Sequence, residues 1–310
     1  MDTSFLKNDT IAVLMGGPGA EREVSLSSGR AVAGVLRDLG LWVIAIELSD
    51  RRVDLPREVT FVMNMIHGTF GEDGELQALL EQRGLPYSGA GVSASQLAID
   101  KIASKKRFLE LGLPTAPFEI LQPGAWPALL PPFVLKAPRE GSALGVAIIK
   151  EADDEKIQSA LQEVRGYGEG REILVEEFFQ GRELTVGILG EEALPIVEIK
   201  PKDGLYNYEN RYSADGSVHL IPAPLDVELT REIQTIALQA HHALGIEVYS
   251  RVDMMLGDDG RIALLEINTI PGMTPTSLLP DAARVRGLDF GALCLRIIEL
   301  SLSRFPVRSK

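Results

Sequence analysis

Residues 250–268 gather hard-donor side chains inside apolar sequence: SRVDMML (250–256), GDDG (257–260) and RIALLEIN (261–268). The flanking segments are strand-like, and the Asp-Asp-Gly between them is turn chemistry, so the stretch predicts an antiparallel hairpin. With GDDG as the whole loop, Leu256 pairs with Arg261, Asp253 with Leu264, and Arg251 with Glu266. Side chains alternate along a strand and directly opposed residues share a face. Arg251, Asp253, Glu266 and Asn268 then project from one side, toward the open end of the hairpin. A slip of one residue scatters them. A surface ion pair is the commonest use of an arginine beside a carboxylate. It accounts for two of these groups, and not for their setting between Met254-Met255 and Ala263-Leu264-Leu265. Two carboxylates and an amide oxygen suit Mg²⁺ or Mn²⁺, with water and substrate phosphates completing the shell.

Two glycine-rich segments could approach an anion. GGPGAERE (16–23) invites comparison with a dinucleotide fingerprint, but Arg22 stands where the third glycine belongs, so the nicotinamide reading fails. REGSALG (139–145) has no Gly-Lys-Ser/Thr and is not a Walker loop. Its small residues around Ser142 make a pliant lid whose backbone N–H groups can reach phosphate oxygens. Lys136 interrupts the apolar run FVL just before it, whereas Lys101 lies among Lys105, Lys106 and Arg107 on a helix, the usual setting of a surface lysine. Glu21, read by itself, is a carboxylate that complements a helix N-terminus, which is compatible with a binding role. His67 follows an apolar strand at the end where α/β sheets place ligands, and is open to a structural or a binding role.

These groups need a frame. IAVLM (11–15), ending in Gly16-Gly17, reads as a buried parallel strand entering a tight loop. SLSSGRAVAGVLRDLG has helical spacing with Gly40 as its stop, and LWVIAIEL (41–48) and FVMNMI (61–66) are further strands. Strand, helix, strand at this spacing begins a doubly wound α/β lobe. ELQALLEQRG and SASQLAIDKIASKKRFLELG read as two amphipathic helices, each closed by glycine. FVLKAP (133–138) and VAIIK (146–150) are predicted strands around the lid, EADDEKIQSALQEV a solvated helix, and ILVEEFF (173–179) a strand. ELTVGIL and ALPIVEIK pair across Gly190-Glu191-Glu192. The polar, aromatic-rich YNYENRYSADGS (206–217) reads as an ordered functional loop.

The 310 residues allow two or three lobes, and 45% apolar content spread along the length argues for a folded chain. A net charge of −13 disfavours binding to nucleic acid or an anionic membrane. No apolar run approaches the ~18 residues needed to span a bilayer, and the N-terminus lacks an export signal, so a cytoplasmic protein is expected. The single cysteine, Cys294, sits in apolar FGALCLRIIEL and reads as a core thiol.

From about residue 10 to residue 302 the chain resembles the D-alanine–D-alanine ligase family of ATP-grasp enzymes. The motifs that carry the resemblance, in order, are GGPGAEREVSLSSG, HGTFGEDGELQ, LKAPREGSALG, YNYENRY and EINTIPGMTPTSL. The resemblance implies an α/β fold: a Rossmann-like substrate lobe (1–98), then a two-lobed ATP-grasp domain (99–180 and 181–310) whose last lobe carries the metal site. It implies ATP-driven joining of two D-alanines for peptidoglycan precursor synthesis, with Mg²⁺ or Mn²⁺ as two ions, in a homodimer. By the same resemblance Lys101, Lys136 and Arg211 meet nucleotide phosphates, Glu176 takes the adenine edge, and Glu183 holds the ribose hydroxyls. Phe179, between those glutamates, belongs to the adenine pocket or to the core. Glu21 meets the first D-alanine's ammonium and His67 lies near its carboxylate. Tyr212, Ser142 and Glu21 close a hydrogen-bonded link over the substrates. Arg251 and the Gly272 N–H hold the oxyanion, Ser277 and Leu278 receive the second carboxylate, and Asp253, Glu266 and Asn268 bind metal. Arg211 departs from the family's usual lysine, and a planar fork does not align phosphate as a point charge does. Tyr212 favours an amine as second nucleophile over the hydroxyl of D-lactate. A sister ATP-grasp ligase and a non-catalytic nucleotide-binding protein are the rival readings.

Overall fold

The run Ile11–Met15 is almost wholly buried and forms the centre of a parallel sheet. This is seen in a computed structural model of the chain, which describes residues 3–141, 144–167, 172–201 and 217–305. Strand β1 (Thr10–Gly16) lies between β2 (Trp42–Leu48) and β3 (Phe61–Asn64), with helix α1 (Arg22–Asp38) crossing from β1 to β2. Gly40, at φ 80°, ends that crossover in the left-handed conformation that glycine adopts without strain. Helix α2 (Glu75–Gln82) follows the loop after β3.

The predicted long helix over 93–112 is two helices, α3 (Val92–Ile99) and α4 (Lys101–Glu110). Asp100 separates them in an extended conformation, and its carboxylate accepts from Ala103 N–H as the N-cap of α4. Amphipathic spacing continues across the break because both helices bury their apolar faces in one core; the capping aspartate supplies the stop.

Strands β4 (Phe118–Leu121), β5 (Phe133–Lys136), β6 (Val146–Ile149) and β7 (Ile173–Glu177) form an antiparallel sheet in the order β4-β7-β5-β6. Helix α5 (Asp154–Arg165) covers it through Ile157, Leu161 and Val164. The third sheet is built from β8 (Gly181–Leu189), β10 (Val197–Pro201), β11 (Ser217–Leu220), β12 (Tyr249–Gly257) and β13 (Ile262–Asn268), in the order β11-β10-β8-β12-β13. The two-residue β9 (Glu192–Ala193) lies on β8, and α6 (Val227–Ala243) packs across the sheet. Strand β13 is the edge, and its outward backbone is covered by the chain at Pro114-Thr115: Leu264 N–H donates to Pro114 O at 2.9 Å.

Helices α7 (Leu278–Val285) and α8 (Phe290–Ser303) return to the first sheet. Leu279, Leu293, Cys294, Ile297 and Ile298 join Ile11, Val13, Leu36 and Met63 in one core, so the C-terminal helix closes the N-terminal lobe. Burial pushes the Cys294 thiol up to about 12, which keeps it an inert core group. No helix among the described residues is long and apolar enough to cross a membrane.

Candidate active site

Strands β12 and β13 place Asp253 opposite Glu266 and Arg251 opposite Asn268. This corrects the register expected from sequence, which set Arg251 against Glu266 and Asp253 against Leu264. One residue of the difference arises at the turn: Gly257 N–H donates to Arg261 O at 2.8 Å, so the loop is Asp258–Gly260, with Gly260 at φ 82°. The other arises at a bulge beside Asp253, where Leu265 is the extra residue between the Asp253–Glu266 and Met254–Leu264 pairs. Together they shift the open end by two residues. A shift of two preserves the face, so the four polar groups still project together.

Asp253 is 1% exposed and heavily ligated. Arg251 donates through Nε to Oδ1 at 2.9 Å and through Nη2 to Oδ2 at 2.7 Å. Thr185, directly opposite on β8, donates to Oδ1 at 2.6 Å, and Asn268 Nδ2 donates to Oδ2 at 3.0 Å. Glu266 is paired with Lys101, whose Nζ lies 3.0 Å from Oε2 and donates to the Glu140 carbonyl at 2.6 Å. Lys101 is therefore buried, not the surface lysine its helix neighbours suggest. Asp253, Glu266 and Asn268 are hard oxygen donors on one face, a set that fits a small divalent cation only when substrate and water supply the rest of the shell. Among the described residues no three His, Cys, Asp or Glu side chains converge on a metal site.

One turn along α4, the fully buried Lys105 reaches Glu176, itself 1% exposed on β7. Lys136, at the end of β5, takes the other Glu176 oxygen at 2.6 Å. Burial pushes the Glu176 carboxyl up, but the two ammonium groups outweigh it and hold the group below the usual carboxylate range. Phe179 packs with Ala116, Met255 and Ala263, and the Arg261 guanidinium lies 4.6 Å from its ring centroid. Glu183 is buried on β8 opposite Met255.

The loop after β3 meets the turn after β13 through buried polar side chains. His67 Nδ1 is 2.7 Å from Ile270 O and Nε2 is 3.1 Å from Ser28 Oγ. A carbonyl only accepts, so Nδ1 carries the proton, Nε2 accepts from Ser28, and Ser28 in turn accepts from Met273 N–H at 3.1 Å. Burial lowers the imidazole to about 4, and the Arg251 charge adds to the effect. Glu72 accepts from Gly68 N–H at 2.7 Å and Ile270 N–H at 2.8 Å. Burial, followed by the charge of Glu21, pushes Glu72 up to about 7. Glu21 lies against Gly68 and Gly141: a Cβ on either would come within 2.5 Å and 2.8 Å of its Oε2. Gly272 likewise backs onto Ser277, whose hydroxyl accepts from Thr274 N–H at the start of α7, with Leu278 next in the chain.

A family model described as D-ala D-ala ligase C-terminus matches residues 108–299, and one described as D-ala D-ala ligase N-terminus matches residues 47–90. The D-alanine–D-alanine ligase of Citrifermentans bemidjiense is 46% identical over 306 residues, covering 96% of this chain and 98% of its own length. That of Methylacidiphilum infernorum is 43% identical over 295 residues, covering 95% and 96%. The chain belongs to the D-alanine–D-alanine ligase family. A crystal structure of D-alanine–D-alanine ligase from Bacillus anthracis complexed with ATP has the same fold, with a TM-score of 0.83 at 30% identity over 96% of this chain and 98% of that one.

Of the residues that the D-alanine–D-alanine ligase resemblance assigns, Ser142, Arg211 and Tyr212 lie outside the described residues. Of the others, Lys101 meets Glu266, Lys136 meets Glu176, Arg251 and Asn268 meet Asp253, Glu21 lies against Gly68 beside His67, Gly272 backs onto Ser277, and Phe179 and Glu183 lie beside Met255. Sequence reasoning missed Ser28, Glu72, Lys105 and Thr185. Thr185 left a faint signal as the polar residue inside ELTVGIL, and Glu72 was concealed by its neighbours. Asp73-Gly74 is turn chemistry: Asp73 accepts from the Phe70 and Glu75 N–H groups and Gly74 sits at φ 88°.

Proposed function

We infer that the chain converts ATP and two D-alanines to ADP, phosphate and D-alanyl-D-alanine through an acyl phosphate. One observation carries the reading at the level of residues: Asp253 and Glu266 face each other beside Arg251 and Lys101, in a chain that matches this family over nearly its whole length. A carboxylate is a poor electrophile, and phosphorylation supplies its leaving group. The first D-alanine's carboxylate oxygen attacks the γ-phosphorus and ADP departs. Glu21 holds that substrate's ammonium, and the buried His67–Ser28–Met273 chain fixes the turn beside its carboxylate. Lys101, Lys136 and Arg211 hold the phosphates, while Glu176, Phe179 and Glu183 seat the nucleoside. Asp253, Glu266 and Asn268 would hold Mg²⁺ or Mn²⁺, which when bound neutralises charge on the phosphoryl oxygens.

The second D-alanine, held through its carboxylate at Ser277-Leu278, attacks the acyl carbon as a free amine. The developing oxyanion is met by the Arg251 guanidinium and the Gly272 N–H, phosphate leaves, and the amine's proton passes to solvent. Ser142 and Tyr212 close the link over the substrates, and no side-chain nucleophile takes part. The dependence on ATP and the use of D-alanine as a peptidoglycan precursor favour a cytoplasmic enzyme, and the resemblance favours a homodimer.

Mass spectrometry after incubation with ATP, Mg²⁺ and D-alanine tests the proposal. The dipeptide and an equal amount of phosphate are expected, with little or no product from D-lactate or L-alanine. Absence of phosphate release with any amino acid makes the chain a nucleotide binder. Release with other carboxylate–amine pairs alone makes it a different ligase.

A further inference from the structure

We propose that Lys105 is a positioning residue for nucleotide selection: it keeps Glu176 an obligate hydrogen-bond acceptor, so that the pocket takes a purine bearing an amine at C6 over one bearing a carbonyl there. The inference rests on the reading of Glu176 as the group that meets the base.

Lys101 and Lys105 are one helical turn apart and share a face of α4. Lys101 serves the rim at Glu266; Lys105 points beneath it and is fully buried. An ammonium has three N–H bonds, and three oxygens surround this one. They are Thr115 Oγ1 at 2.5 Å, Glu176 Oε1 at 2.8 Å and Leu264 O at 3.2 Å. The Glu176 contact is an ion pair out of line for a hydrogen bond, so that oxygen has ion-pair company but no in-line donor. Thr115 spends its own proton on Leu264 O at 2.9 Å, which leaves its oxygen to accept from Lys105. The lysine thus ties β7, the 114–115 segment and β13 at a single buried charge. Lys136, the other cation on Glu176, stands on the open side, its side chain 12% exposed.

The arrangement matters when Lys136 turns to a phosphate. Glu176 alone would then be a buried carboxylate without a counter-charge, and such a group takes up a proton. Protonated, it would donate as well as accept and would welcome the carbonyl of guanine. With Lys105 behind it, the carboxylate stays charged and can only accept, so the amine of adenine fits and the carbonyl is repelled. A site built on such a donor–acceptor match discriminates far better than one built on shape.

Calorimetric binding of ATP and of GTP, with Mg²⁺ and without amino acid, tests this on the wild type and on Lys105→Met, Glu176→Gln and the double variant. The wild type is expected to prefer ATP at every pH. Lys105→Met should lose about tenfold or more of that preference near neutral pH and regain part of it as the pH is raised, when Glu176 loses its proton. A purely structural lysine would not make base preference depend on pH. In the Glu176→Gln background, adding Lys105→Met should leave the ATP-to-GTP ratio unchanged. The double variant carries no unpaired buried charge, so it reports even where Lys105→Met fails to fold. A wild-type ratio in Lys105→Met at every pH overturns the proposal, as does a further change of ratio in the double variant. A wild type that binds neither nucleotide instead overturns the nucleotide reading of the site.

Discussion

Replacing Arg251 with alanine removes two things at once, and the geometry separates them. The guanidinium donates twice to Asp253, at 2.9 Å and 2.7 Å, and Asp253 is 1% exposed. Without it the carboxylate keeps Thr185 and Asn268 as donors but loses the Arg251 cation that grips both its oxygens. Removing one partner of a buried pair costs about 3–5 kcal/mol; two retained donors put Arg251→Ala at the lower end, about 3 kcal/mol of unfolding stability. The second loss is the oxyanion donor, which costs about 3–4 kcal/mol in the transition state, a fall in product formation of about two to three orders of magnitude. Urea unfolding without substrates reads the first, and dipeptide formation at saturating ATP and D-alanine reads the second. Arg251→Lys keeps the charge without the planar fork. It should recover most of the stability but little of the rate. Dipeptide formation by a folded Arg251→Ala within about threefold of wild type would refute the oxyanion assignment. Unchanged unfolding would refute the account of the Asp253 pair.

The remaining predictions address the other parts of the site. Burial lowers His67 from 6.5 to about 4, so its stability contribution is complete above 6.5 and is lost as pH falls toward 4. His67→Gln should therefore lose about 2 kcal/mol less than wild type between about pH 7 and about pH 5 in urea titrations, and equal losses would count against it. Glu266→Gln should bind nucleotide yet need about tenfold more Mg²⁺, or more, for phosphoryl transfer; an unaltered Mg²⁺ dependence removes Glu266 from the ligand set. Gly68, at φ 63°, would bring a methyl within 2.5 Å of Glu21. Gly68→Ala should raise the KM for D-alanine by about tenfold while ATP binding holds, and a shift in both would point to a general loss of structure.

The sequence alone determined the local grammar: buried β1 ending in two glycines, the crossover α1, the paired strands β5 and β6, and a hairpin that brings Arg251, Asp253, Glu266 and Asn268 to one face. Periodicity and turn chemistry act over a few residues, and the family motifs lie in just those segments. The tertiary structure decided what depends on distant neighbours. The hairpin's register is two residues from the sequence expectation: one residue comes from the shorter turn, and the other from the bulge of β13 at Leu265, where its outer edge meets Pro114-Thr115. The helix over 93–112 breaks where Asp100 caps α4. Lys105 is as basic in sequence as Lys101 and Lys106, yet only the meeting of α4, β7, β13 and the 114–115 segment gives its charge three oxygens and removes it from water. Glu72 clasps a turn almost two hundred residues away, and α8 fills the core begun by β1. Burial, and with it the acid–base character of His67, Glu72 and Glu176, belongs to whatever packs around a side chain; no window of sequence contains that neighbour list.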